Sequence, residues 1–480
     1  MLMKTASKSL TEQLANRFAE RIRTRLLAGG ARLPSVRQCA QQQGVSASTV
    51  VAAYDRLLAL GLVEAHKNRG FYVRETAVDH DKRAHTAPES VVFNSRLSQY
   101  SNLPQHNPIN ATALIRGMFH GVSSKPQPGM GVFPPDWLET TFLPAAVRRF
   151  TGSKALHGLS LHYGEPAGDS DLRSALSQKL ASINVHAAPS QIITTVGATH
   201  ALDIVSRTLL RAGDYVMVEE PGWAIEFARL NALGMRILPV PRTAAGPDVD
   251  VMAQYCELYQ PKLFVSVSVL HNPTGYCLTP GSAHRVLQLA NKHNFYIVED
   301  DTYSHLAPEH ATRLSALDGL QRTIYVSGFA KILVPGWRVG YLAAPPDLFE
   351  RLLDTKLLAS LTTPALFEKA LAWCIHQGQL RRHAERIRGQ LSVARARSVK
   401  LAIAHGCTFA AEPAGLFGWV DTDTDTEILA QRMLDEGYLL APGALFHAAR
   451  QPSSLMRINF ATTQDATFWK VFARLRQVAL

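Results

Sequence analysis

The chain has 480 residues, 46% of them hydrophobic, and a formal net charge of +11. That much apolar material excludes a disordered chain, and the length allows about three structural units. No run of about 18 apolar residues occurs, and the opening "MLMKTASKSLTEQ" lacks an apolar core, so neither a membrane span nor a signal peptide is expected.

Residues 1–75 carry twelve basic side chains against five acidic ones, so most of the excess charge lies in the first sixth of the chain. In "LTEQLANRFAERIRTRLLAGG", Leu14, Phe18, Ile22 and Leu26 recur every fourth residue, which predicts a helix ended by Gly29 and Gly30. "LPSVRQCAQQQG" predicts a second helix, started by Pro34 and Ser35 and ended by Gly44. "VSASTVVAAYDRLLALG" predicts a third, capped by Ser46, with Val50, Tyr54 and Leu57 on one face. "LVEAHKNRGFYV" then reads as two short strands joined by a basic turn.

Two helices about a turn at Gly44, followed by a basic wing, have the spacing of a DNA reader. Phosphates attract cations and helix N-termini, while base edges are reached from the recognition helix. The candidate DNA-binding residues are Ser35 and Arg37 on helix two, Ser46, Ser48 and Thr49 on helix three, and Arg69 in the wing, suited to a minor groove. On periodicity alone, a small helical dimerisation or docking domain with a solvated basic face explains the same pattern. The stretch from Arg32 to Val73 resembles the winged helix-turn-helix of GntR-type regulators, which implies double-stranded DNA as a partner. It departs from that family at Ala47, where arginine often follows the serine.

Residues 76–115 are polar, aperiodic and interrupted by prolines, and are expected to form a linker. Residues 116–480 alternate apolar runs with helical stretches. "QIITTVG", "DYVMVEE", "KLFVSVSV", "FYIVEDD" and "TIYVSGF" predict strands of an α/β domain with a mostly parallel sheet. Chemistry in such sheets collects beyond the strand C-termini.

Gly197, Ala198 and Thr199 open a helix whose free N–H groups favour a phosphate; an ordinary βα turn has the same sequence. Trp223 follows the second run, as a stacking ring or a core residue. Asn272 stands in the tight turn "HNPTG", and Asp300 and Tyr303 follow the fourth run. Lys331 lies in "SGFAKILVPGWRVGYL", with Arg338 seven positions on. Alone, Lys331 reads equally as a snorkelling surface lysine or a nucleophile. Together these residues suit one ligand: an amine for an aldehyde, a carboxylate for a pyridinium, an amide and a phenol for a ring oxygen, and a cation for a phosphate. That ligand is pyridoxal 5′-phosphate.

The order and spacing resemble fold-type I aminotransferases over most of residues 130–480, which adds a smaller C-terminal α+β subdomain to the expected fold. The resemblance implies Lys331 as the aldimine lysine, Asp300 as partner of the ring nitrogen, and Asn272 and Tyr303 as ligands of the ring oxygen. Trp223 would stack on the ring; Ala198, Thr199 and Arg338 would hold the phosphate. It further implies that Tyr163 reaches a neighbouring subunit's phosphate site and that Arg457 takes an effector's α-carboxylate. Gly328, Ala330 and Ala198 stand where that family often has serines, and Ser327 is the candidate substitute hydroxyl.

A GntR-like reader joined to an aminotransferase-like domain resembles the MocR subfamily of bacterial transcription regulators. This implies a cytoplasmic homodimer, nucleoid-associated when on DNA. Pyridoxal phosphate or an amino compound would be sensed through an internal or external aldimine at Lys331, changing operator binding at vitamin B6 or amino-acid metabolism genes. The residues leave two other readings open: a working aminotransferase with a tethering N-terminal domain, and a vitamin B6 sensor at which no amine reacts. Five scattered cysteines, Cys39, Cys256, Cys277, Cys374 and Cys407, argue against a disulfide framework or a zinc site, and no metal is expected.

Overall fold

A computed structural model of the chain describes residues 9–74 and 125–477, apart from 24–26, 28, 67 and 68. The expected linker, residues 76–115, lies outside the described residues. The chain divides into two bodies: Met1–Lys125 with Ala430–Leu439, and Pro126–Leu429 with Leu440–Leu480.

The first body holds α1 (Leu10–Arg23), α2 (Val36–Gln43) and α3 (Ala47–Ala59), then the hairpin β1 (Val63–His66) and β2 (Gly70–Val73). The four-residue spacing places Leu14 and Phe18 in one core with Val50, Tyr54 and Leu57. Ser35 caps α2 by accepting from the Gln38 N–H, and Gly44 ends it at φ 65, a left-handed turn that glycine adopts without strain. Ser46 caps α3 through the Thr49 N–H. The Tyr54 hydroxyl donates to Pro34 O at 2.9 Å, pinning α3 to the approach of α2. The first helix is described as far as Arg23, and residues 24–26, before the expected stop at Gly29 and Gly30, lie outside the described residues. Within the same body, Arg21 donates to Asp435 Oδ1 at 2.9 Å and to Leu434 O at 2.6 Å.

The second body is built on a seven-stranded sheet. Its strands are β3 (Ile192–Val196), β4 (Tyr215–Glu220), β5 (Arg236–Pro241), β6 (Leu263–Ser266), β7 (Tyr296–Asp300), β8 (Thr323–Gly328) and β9 (Val339–Ala343). Their order is β3-β9-β8-β7-β6-β4-β5, and only β9 runs against its neighbours. Helices cover both faces, so the central strands read as near-continuous apolar runs. Val218, Val265, Val298 and Val326 pack on one face; Met217, Phe264 and Ile297 pack on the other.

All five predicted strands form. The sequence reading did not anticipate β5 or β9. The first contains Pro239 and Pro241, which an edge strand tolerates because one side needs no ladder donors. The second is the tail of the Lys331 stretch. A smaller antiparallel sheet completes the body, in the order β10 (Thr408–Phe409), β11 (Phe417–Asp421), β13 (Leu455–Asn459), β12 (Ala441–Pro442).

Candidate functional site

Beyond the end of β8 the chain turns and presents Lys331. A snorkelling lysine would send its amine to solvent. This one is half-buried, and its Nζ donates to Gly131 O at 2.7 Å, with the Tyr303 ring 5.9 Å away. Burial pushes the amine down to about 8; Arg457 and Arg338 add to this, and Asp300 opposes it.

Asp300 ends β7. Its Oδ1 accepts from the Thr302 N–H at 3.0 Å and from the Thr302 hydroxyl, and among the described residues no hydrogen bond reaches Oδ2. Burial pushes this carboxyl up to about 6, against the Thr302 hydrogen bonds, with Glu226 and Asp301 adding to the rise. Tyr303 is buried, with its ring edge-on to Phe417 at 5.5 Å. Burial raises its phenol above the ordinary value, against Arg457 and Asn272.

Arg457, on β13, joins this group from the small sheet. Its Nη1 donates to Asn272 Oδ1 at 2.9 Å and its Nη2 to Gly129 O at 2.6 Å. Its guanidinium lies 4.4 Å from the Phe417 ring centre and 5.2 Å from that of Phe446. Burial lowers it to about 10, and its Nε is buried without a hydrogen-bond partner. An unpaired buried donor on a cation suits an incoming carboxylate.

Gly197, at φ 80, turns the end of β3 into α4 (Ala198–Leu209), and no side chain caps this helix. Ala198 and Thr199 therefore offer N–H groups at a helix start. Arg338 lies against the same turn, with Nη2 3.3 Å from Val196 O. A Cβ on Gly197 would meet Arg338 Nη2 at 2.5 Å, and one on Gly340 would meet Ala198 N at 2.7 Å, so both glycines are needed for this close approach. Ser327 is not brought to this helix start, the expected phosphate cup. It is fully buried and donates to Asp301 O at 2.9 Å, because successive strand residues face opposite ways. Gly328 is the residue whose Cβ would approach Ala198 N, at 3.5 Å.

Trp223 precedes α5 (Ala224–Ala232) and, with Asp300, lines a cavity of about 20 Å³. Lys331, Asp300, Asn272, Tyr303, Trp223, Arg457, Arg338, Ala198 and Thr199 thus come from separate loops to the strand ends and to β13 beside them. Tyr163 stands apart, 83% exposed. In the first body Ser35, Arg37, Ser46, Ser48 and Arg69 are exposed and Thr49 is half-buried. Ser46 Oγ lies 2.8 Å from both Ser48 Oγ and Thr49 Oγ1, forming a hydroxyl cluster at the start of α3.

The sequence reading missed Gly129 and Gly131, whose carbonyls hold Arg457 and Lys331. Their signal was the turn-rich "GMGVFPPD", which marks a loop but not its destination. It also missed Phe417, Phe446 and Glu226, which carry no local motif. Among the described residues, no helix is long and apolar enough to cross a membrane, and no group of three or more His, Cys, Asp or Glu side chains is placed to hold a metal.

Residues 10–73 match the family of bacterial regulatory proteins of the gntR type, and residues 136–475 match aminotransferase class I and II. The probable rhizopine catabolism regulatory protein MocR of Rhizobium meliloti is 31% identical over 383 residues, which cover 77% of this chain and 73% of that protein. An uncharacterized HTH-type transcriptional regulator of Escherichia coli, YdcR, is 26% identical over 94% of both chains. The structure of LysN, an α-aminoadipate aminotransferase from Thermus thermophilus complexed with N-(5′-phosphopyridoxyl)-L-leucine, superposes with a TM-score of 0.69 at 23% identity. It covers 76% of this chain and 95% of that one.

Proposed function

This chain belongs to the MocR-type transcription regulators, a GntR-family DNA reader fused to a class I and II aminotransferase domain, and from that premise we propose that it changes operator binding when its pyridoxal 5′-phosphate site is occupied or reacts with an amine. When bound, the cofactor supplies an aldehyde that bonds to amines and a ring that withdraws electrons from them.

The chain's residues divide that task. Lys331 offers an amine that is partly neutral near physiological pH and is aimed by Gly131 O. Asp300 Oδ2 receives the ring nitrogen, Asn272 and Tyr303 receive the ring oxygen, and Trp223 covers the ring face. The N–H groups of Ala198 and Thr199, with Arg338, receive the phosphate. Arg457 receives the α-carboxylate of an effector amine. Tyr163, exposed on a single chain, reaches the phosphate end of a second subunit in a homodimer. Residues 1–75 read DNA, 76–115 link, and 116–480 sense.

The observation that carries a sensing role is the phosphate end. Ser327 spends its hydroxyl on Asp301 O, so the cup rests on main-chain N–H groups, Thr199 and one exposed guanidinium. Such a cup supports an exchangeable ligand, and a ligand shifts DNA binding only through unequal affinity for two conformations.

The test is fluorescence anisotropy of the full-length chain on DNA from upstream of its own gene, with and without pyridoxal 5′-phosphate and a panel of amines. The expected result is a ligand-dependent change in affinity that Lys331→Ala abolishes. Ligand-independent DNA binding, with transfer of amino groups to a keto acid at enzyme-like rates, would overturn the proposal.

A further inference from the structure

The cavity beside Trp223 is lined by Asp300, Glu226, Glu219 and His271 as well as by Leu202, Val218 and Val265. A water-sized space among three carboxylates in an apolar wall is costly unless each charge is managed. Glu219 is managed fully: it accepts from Arg242, itself buried, from Ser266 Oγ at 3.1 Å and from the Val267 N–H at 2.9 Å. Glu226 is treated differently. Arg229, one helical turn on, grips it by both oxygens, Nε to Oε2 at 3.1 Å and Nη2 to Oε1 at 2.5 Å. That fork fixes the carboxylate's orientation. The same guanidinium also serves Ser206 Oγ at 3.0 Å and approaches Asp203 Oδ1 at 3.7 Å, so Glu226 has only a shared countercharge.

We propose that Glu226 is a positioning residue: from across this cavity its carboxylate holds a proton on the bond between Asp300 and the cofactor's ring nitrogen. The inference rests on Asp300 being the partner of that nitrogen. Two carboxylates facing one low-dielectric space repel, and a proton shared by one of them relieves the repulsion. Asp300 is the member free to take it, because its Oδ2 is unengaged by the described residues while both Glu226 oxygens are held.

Of the other groups facing Asp300, Asp301 alone pushes the same way, and less than Glu226. His271, from the turn after β6, is fixed by Thr274 Oγ1 at 2.9 Å and held neutral by burial and by Arg242. Asp301, next in the chain, is bound to Arg313 at 2.6 Å and to the Tyr325 hydroxyl at 2.9 Å. Lys331, from the loop after β8, acts in the opposite sense to Glu226. Tyr303 is un-ionised below the alkaline range. Burial and the Glu226 charge both push the Asp300 carboxyl up, to about 6.

The experiment uses the full-length, cofactor-free chain and pyridoxamine 5′-phosphate, which has no aldehyde to bond with Lys331. Affinity is measured by equilibrium dialysis from pH 5 to 8 in wild type, Asp300→Asn, Glu226→Gln, Glu226→Asp and Arg229→Gln. The probe's own ionisations cancel between chains, so the part of the acid-side loss absent from Asp300→Asn belongs to Asp300. Glu226→Gln is expected to move the midpoint of that part down by half a pH unit or more, at least about twofold in affinity at pH 5.5. Glu226→Asp keeps the charge and restores the wild-type midpoint in part. Arg229→Gln leaves Glu226 uncompensated and moves the midpoint up, and decides the matter should Glu226→Gln not fold. If Asp300→Asn matches wild type, the Asp300 assignment fails and the inference with it. If Asp300→Asn differs but Glu226→Gln and Arg229→Gln leave the midpoint in place, the inference alone is overturned.

Discussion

The sharpest test of the site is the basicity of Lys331. An ordinary lysine amine titrates at 10.5, whereas burial, Arg457 and Arg338 bring this one to about 8. At pH 7 the neutral, nucleophilic fraction is then about one in ten, against roughly one in 3,000 for the ordinary amine, a gain of about 300-fold. Stopped-flow mixing of the cofactor-free chain with pyridoxal 5′-phosphate reads this directly as growth of visible absorbance. The rate is expected to rise about tenfold per pH unit up to pH 8 and then level. Arg457→Met removes one of the two cations that hold the amine neutral, so the break is expected to move to higher pH. Lys331→Ala is expected to give no visible band. A rate in wild type that keeps climbing to pH 10 would refute the reasoning, since it would describe a solvated lysine.

The remaining predictions concern the supports of the two bodies. Gly340→Ala puts a methyl group within 2.7 Å of Ala198 N and 2.4 Å of Gly197 C. It is expected to destabilise the domain by about 1–3 kcal/mol in thermal unfolding and to weaken cofactor binding, because α4 must shift. Cofactor affinity equal to wild type would argue against a phosphate at that helix start. Arg313→Met leaves Asp301 charged and buried without its cation, at an expected cost of about 3–5 kcal/mol in urea unfolding. Arg37→Ala removes an exposed cation near the start of α2. It is expected to reduce the slope of log DNA affinity against log salt by about one, with little change in sequence preference.

Much of this molecule was legible because its signals are local. Ser35, Gly44 and Ser46 bound two helices through hydrogen bonds spanning three or four residues, so their positions could be read from the letters. The apolar runs at β4, β6, β7 and β8 declared strands buried on both faces. Strand β5 was hidden by its prolines, whose tolerance depends on its being at the sheet edge, a property of the sheet and not of the strand. Ser327 looked like a substitute phosphate ligand by proximity in sequence, yet the alternation along β8 turns it into the core and gives the cup to Gly328. The order of Asn272, Asp300, Tyr303 and Lys331 pointed to one cofactor because each stands at or beyond the end of a strand, and parallel strands end at the same sheet edge.

By itself, then, the sequence determined most of the elements, the strand-end placement of the reactive groups and the pairing of a DNA reader with a pyridoxal-phosphate domain. Only the tertiary structure decided how those groups are held. Arg457 reaches Asn272 across 185 positions of chain, and Lys331 finds Gly131 across 200. Glu226 faces Asp300 only because α5 and β7 border the same small cavity. Such contacts leave no periodicity or motif in the sequence: they arise when the chain closes, and burial then sets the charge on each group.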